Sequence, residues 1–168
     1  MKMMKIISAI FAVAMMVTPS FASDNSDDDD VVKVVYQCDF AKPQRIHLML
    51  NTLNNVVKYY DKKLIQYDIR VVALGPCLQY VMKDFDGTGF ADKPYCSHGG
   101  PTGKGTNSRF KSLKQLGGDN ITFYACENTM NKKNVKPEQI KDYVKLTTAG
   151  IIKIIDLQRE GYAYIKIK

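Results

Sequence analysis

The residues in this chain best suited to chemistry are its four cysteines, Cys38, Cys77, Cys96 and Cys126. Cys126 stands apart from the others. It closes the β-branched and aromatic run Ile121-Thr-Phe-Tyr-Ala125, and the polar stretch Glu127-Asn-Thr-Met130 that follows can begin a helix. A thiol at a strand end and a helix mouth lies near backbone N–H groups and the positive end of the helix dipole. Both favour the thiolate, the form that acts as a nucleophile. Such a thiolate attacks polysulfides, persulfides or disulfides, and Asn128 and Thr129 are near enough in sequence to hydrogen-bond the sulfur. Glu127 opposes this charge if its carboxylate turns inward. The competing reading is a non-catalytic binding or assembly module in which Cys126 is a small core residue, as free cysteines often are.

The four cysteines are spaced by 39, 19 and 30 residues, which matches neither a zinc ribbon nor a Cys-x-x-Cys redox motif. Cys38 or Cys77 could serve as a resolving thiol for Cys126. A structural disulfide is a further alternative, as Cys38–Cys126 or as Cys77–Cys96, where the paired Cα atoms must come within about 7 Å. Cys96-Ser-His98 offers two ligands to a soft metal, but two ligands on a glycine-rich loop do not make a site, and no metal is expected. Gly99-Gly-Pro-Thr-Gly-Lys-Gly-Thr106 imitates a phosphate-binding loop. Gly105 takes the place of the Ser or Thr needed for magnesium, and no strand precedes it.

The elements that position these residues follow from periodicity. Val31–Gln37 reads as a first strand ending at Cys38. Pro43 opens a long helix with a stripe through Ile46, Met49 or Leu50, Leu53, Val56 or Val57, and Tyr60. His47 falls beside that stripe and reads as a structural or surface histidine. Tyr67–Leu74 is the second strand, stopped by Gly75-Pro76, and Cys77–Phe85 reads as a short helix. Residues 86–107 contain six glycines and two prolines and read as an inserted loop. A helix over 108–116, a third strand over 120–125, a helical turn at 127–131, a helical piece over 137–144, a short strand at 145–148, a helix over 149–159 and a last strand over 162–166 complete the chain.

Strands alternating with helices predict an α/β fold, a doubly wound parallel sheet of about five strands in three α/β/α layers. Such sheets bind ligands beyond the carboxyl ends of the strands, at the switch point of the winding. In the flavodoxin-like order 2-1-3-4-5 that point lies between strands one and three. Cys38, Cys77 and Cys126 then converge on it, with Gly75 and Pro76 as candidate substrate-binding residues beside Asn128 and Thr129. No flavin or nucleotide motif accompanies the topology, and no cofactor is expected.

The amino terminus reads as a processing signal. Lys2 and Lys5 precede the apolar run Ile6–Val17, and Ser20-Phe-Ala22 fits a cleavage site, so 1–22 is a cleavable signal peptide. The run is too short to span a bilayer, which takes about 20 residues. Residues 23–30, with five aspartates, read as an acidic disordered leader, and 31–168 as one domain. The protein is thus expected to be periplasmic or otherwise secreted, and not membrane-spanning. The chain has 24 Lys+Arg against 17 Asp+Glu. Only two of the cations but five of the acids precede residue 31, so the excess is concentrated in the domain. It is read first as solvated faces and second as attraction for anionic partners. Nucleic acid is not expected, because no arginine-rich or aromatic-interleaved motif appears.

Three stretches give the domain a family likeness: Ala73-Leu-Gly-Pro76, Tyr124-Ala-Cys-Glu-Asn-Thr-Met130, and Gly150 through Leu157-Gln158, Gly161, Tyr162 and Tyr164. From about Val34 to its end the chain resembles the DsrE/DsrF-like sulfur-relay family, with 86–107 as a long insertion and the signal peptide as a mark of an exported branch. The resemblance implies a flavodoxin-like fold assembled into homo-trimers or homo-hexamers. It also implies that a cysteine at the position of Cys126 carries sulfur as a persulfide to or from a donor or acceptor protein. That is a carrier's role rather than a turnover enzyme's, and it extends to Cys126 alone.

Overall fold

The computed structural model describes residues 31–91, 100 and 103–168. The expected signal peptide at 1–22, the expected leader at 23–30, Cys96 and His98 lie outside the described residues. Five parallel strands form one sheet: β1 (Val32–Cys38), β2 (Tyr67–Ala73), β3 (Ile121–Cys126), β4 (Val144–Thr147) and β5 (Ala163–Lys166). Four α-helices connect them: α1 (Pro43–Lys63), α2 (Lys104–Gly117), α3 (Glu127–Lys132) and α4 (Gly150–Arg159). The fold is α/β with helices on both sides of the sheet.

The strand order is β4-β3-β2-β1-β5, not the expected 2-1-3-4-5. β2 therefore lies between β1 and β3, with Cys38 in register with Ala73 and Ala73 with Ala125. The reason lies in the direction of the crossovers. From β1 to β4 every connection steps the same way along the sheet, and right-handed crossovers of one direction place their helices on one face. Only the connection from β4 to β5 runs back, so among the described helices α4 alone covers the other face.

The sequence marks the two faces by alternation. Val34, Tyr36 and Cys38 of β1, Ile69, Val71 and Ala73 of β2, and Ile121, Phe123 and Ala125 of β3 enter the main core. Against them packs the α1 stripe Ile46, Met49, Leu50, Leu53 and Val57, all buried. The opposite parity, Val35 and Val72, meets Ile154 and Leu157 of α4 in a second, smaller core. Here the apolar layer gives way to a polar cluster in which Arg70 bonds Asp68 and Thr122, and Tyr162 donates to Asp68 at 2.7 Å.

Two connections differ from the periodicity reading. α2 begins at Lys104, four residues before the expected 108, because Thr106 continues the buried positions Phe110, Leu113 and Gly117 toward the amino end. A threonine can take an apolar place here because His47 Nε2 is 3.0 Å from its hydroxyl. His47 thus ties α1 to α2. The segments read as helices over 77–85 and 137–144 are instead single 3-10 helices, Gly75–Val81 and Pro137–Gln139. An antiparallel bridge between Met82 and Ile140 draws both segments into extended backbone just beyond.

Candidate functional site

The carboxyl ends of β1, β2 and β3 open on a cleft of about 880 Å³. Its first wall is the turn Asp39–Arg45, which carries the chain from β1 into α1. The second is Gly75–Gln79, the start of the 3-10 helix after β2, and the third is the stretch Asn128–Lys133 through α3. Gly75 sits at φ +53°, a left-handed conformation that turns the chain sharply out of the sheet and that side chains disfavour. Its N–H donates to Thr129 Oγ1 at 3.0 Å, which joins the second wall to the third. Gly75, Pro76, Asn128 and Thr129, four residues from two distant stretches of sequence, all line this one cleft.

The cysteines distribute differently from the expectation. Cys38 and Cys77 are joined in a disulfide, with Cα atoms 5.6 Å apart. Neither proposed pairing forms: Cys77 is committed to Cys38, and Cys126 is free. Cys38 and Cys77 are therefore not the free resolving thiols considered above. The physical reason is the strand order. β2 is the neighbour of β1, so the chain leaving β2 passes directly over the end of β1, and Leu74 N–H bonds the carbonyl of Cys38 at 2.9 Å. Cys38 and Cys126 also differ in parity. Cys38 enters the main core, whereas Cys126 shares the alternation of Thr122 and Tyr124 and faces α4.

Cys126 ends β3 and precedes the first residue of α3, as its sequence context suggests. α3 is only six residues long, so the nearest helix of any length is α4. The thiol is buried, with 5% of the residue exposed. Its sulfur accepts the backbone N–H of Gly150, the first residue of α4, at 3.2 Å. Leu74 closes the same corner: a Cβ at position 150 would lie 3.2 Å from the Cβ atoms of both Cys126 and Leu74. Cys126 is not among the residues lining the cleft, so the structure does not bring the thiol and the four candidate binding residues into one lining.

The cleft also contains residues that composition did not single out. Lys42, Arg45, Lys132 and Lys133 line it, with Phe40, Phe90 and Gln79. The Arg45 guanidinium lies 4.1 Å from the centre of the Phe40 ring, and Lys133 Nζ 5.7 Å from that of Phe90. The available signal was position: Asp39–Lys42 immediately follows a strand end, where open α/β sheets place their ligands. Among the described residues no group of three His, Cys, Asp or Glu side chains could hold a metal ion. No helix among them is long and apolar enough to cross a membrane.

A model of the DsrE/DsrF-like family matches residues 31–167. Two solved structures are similar. One is a protein of unknown function, MTH1491 from Methanobacterium thermoautotrophicum, with a TM-score of 0.57 at 23% identity over 80% of this chain and 98% of that one. The other is the ychN protein from E. coli, with a TM-score of 0.51 at 10% identity over 81% of this chain and 99% of that one. No curated protein matches the chain significantly. At these identities the two structures share the fold alone.

Proposed function

The chain belongs to the DsrE/DsrF-like family, and from that premise we propose that it handles sulfur or thiols, with Cys126 as the reacting group. The observation that carries this reading is the contact between Cys126 Sγ and the N–H of Gly150. The backbone N–H that heads the ten-residue helix α4 is aimed at the sulfur, so a donor is already in place for the charge that an exchange reaction develops there. In the step we propose, the Cys126 thiolate attacks the outer sulfur of a persulfide R–S–SH. The S–S bond breaks, a Cys126 persulfide forms, and R–S⁻ leaves and takes a proton from water. The reverse exchange passes the sulfur to an acceptor protein, so the chain acts as a carrier rather than a turnover enzyme.

Export fits the Cys38–Cys77 disulfide, which belongs in an oxidising compartment, and we propose a periplasmic or secreted location on that ground together with the amino-terminal pattern. The test is reaction of the protein with polysulfide followed by mass mapping. A gain of 32 Da steps on the Cys126 peptide supports the reading (from the mass of sulfur, about 32 Da per atom added). No sulfur on Cys126 after exhaustive treatment overturns it.

A second reading, an assembly module, is favoured by one observation. Ile151, Ile152 and Ile155 of α4 are 51%, 53% and 46% exposed on the face turned from the sheet. Adjacent apolar side chains left in water mark an association surface, and homo-trimers or homo-hexamers built through α4 would cover it. The two readings part at Cys126, which is the reacting group in the first and a small core residue in the second.

A further inference from the structure

We propose that the cleft at the ends of β1, β2 and β3 binds a small aromatic anion that also carries an N–H or O–H donor. This goes beyond the sulfur chemistry of Cys126, which does not line the cleft.

Charge sets the first requirement. Among the described residues four cations and one acid, Asp39, line the cleft. Asp39 is already engaged, by Lys166 Nζ at 3.0 Å and by Gln37 Nε2 at 2.8 Å. Among the described residues, none of Lys42, Arg45, Lys132 and Lys133 forms an ion pair. A concave surface of one sign concentrates the field and attracts the opposite charge.

The second requirement comes from Gln79, which is 1% exposed and lines the cleft. Its Nε2 donates to Pro76 O at 2.7 Å, which fixes the amide, while its Oε1 has no hydrogen-bond partner. A buried carbonyl oxygen without a donor is costly to the fold, and in a cleft it is satisfied by a ligand that brings an N–H or O–H. The third requirement is apolar. Phe40 and Phe90, 4% and 2% exposed, contribute to the lining beneath their cations. A volume of about 880 Å³ is far larger than an inorganic anion needs and falls among small-molecule sites.

The experiment uses a probe with these three features, 8-anilinonaphthalene-1-sulfonate, against its uncharged counterpart N-phenyl-1-naphthylamine. Both are titrated by fluorescence into the full protein, the Lys42→Gln/Lys132→Gln variant and the Ile152→Asp variant. Lys42 and Lys132 are exposed, so the double variant keeps the fold, and unchanged thermal unfolding verifies that. The expected result is saturable binding of one sulfonate per chain, weakened by about tenfold in the lysine variant, as for two lost partly screened charge pairs. Added salt weakens it too, whereas the uncharged probe binds both proteins alike. Ile152→Asp leaves the sulfonate titration unchanged. Equal affinity of the sulfonate for wild type and the lysine variant overturns the proposal, as does equal loss of both probes, or loss of the sulfonate site in Ile152→Asp, which would put the dye on α4. The titration involves no sulfur chemistry, so its failure leaves the Cys126 reading untouched.

Discussion

The amide of Gly150 and the sulfur of Cys126 are hydrogen-bond partners at 3.2 Å, although 24 residues separate them in sequence. The contact exists because residue 150 has no side chain. A Cβ there would come within 3.2 Å of Cys126 Cβ and Leu74 Cβ and 3.3 Å of a Val72 methyl, all atoms held by the sheet. Gly150→Ala is therefore expected to destabilise the fold by about 1–3 kcal/mol, the cost of forced overpacking, against the gain of alanine's better helix propensity. Urea unfolding measures the loss. Thiol labelling of Cys126 in native buffer should accelerate in the same variant, because α4 is pushed from the sulfur.

Labelling also separates the cysteines. Alkylation without reductant should leave Cys38 and Cys77 unmodified and linked in one peptide pair, while Cys126 reacts slowly and completely only on unfolding. Closing a loop of 39 residues restricts the unfolded chain by about 4 kcal/mol in the entropy model. Cys38→Ala/Cys77→Ala should lower the unfolding free energy by that order, measured by urea denaturation. A peptide map that links Cys126 to either partner contradicts the structure.

Stability should depend on pH through two neighbours in the β4 approach. Burial pushes Lys141 down to about 8, with Nζ held by Tyr80 O at 2.7 Å and Asn107 Oδ1 at 2.8 Å. Burial pushes Tyr143 up to about 12. Between pH 8 and the ordinary lysine value of 10.5 the unfolded chain binds a proton at Lys141 that the folded chain does not, so stability rises with pH. For Tyr143 the folded state holds the proton longer, and stability falls as pH passes 10.0 toward 12. These two groups together place a maximum near pH 10. Lys141→Met should flatten the rise between pH 8 and 10, as followed by unfolding at fixed temperature across that range.

The exposed isoleucines of α4 predict self-association. Ile152→Asp, or Ile155→Asp, should convert an assembled species to a smaller one in native mass spectrometry or light scattering while circular dichroism stays unchanged. A wild-type protein that is monomeric at all concentrations removes the assembly reading.

Much of this was legible in the sequence. The strand that delivers Cys126, the helix stripe beginning at Pro43 and the return through Gly150 are local patterns, and local patterns survive folding. Gly75, Pro76, Asn128 and Thr129 could be gathered at one edge because each follows a strand end. Strand order was not legible, because alternation of strands and helices is the same whichever way a crossover steps. The pairing of Cys38 with Cys77 depended on that order and was missed with it. Gln79 and Phe90 were invisible for another reason: both sit where turn geometry, not periodicity, decides what a side chain faces. Thr106 shows the same limit within a helix, since its burial depends on a partner, His47, 59 residues away.

The disulfide has one more consequence. From Cys38 to Cys77 the backbone is a closed ring that contains all of α1 and β2, and the turn between them holds Leu64, 91% exposed. A protease cut at that turn opens the ring without parting its ends. The two fragments travel as one molecule on a denaturing gel, and only reductant separates them.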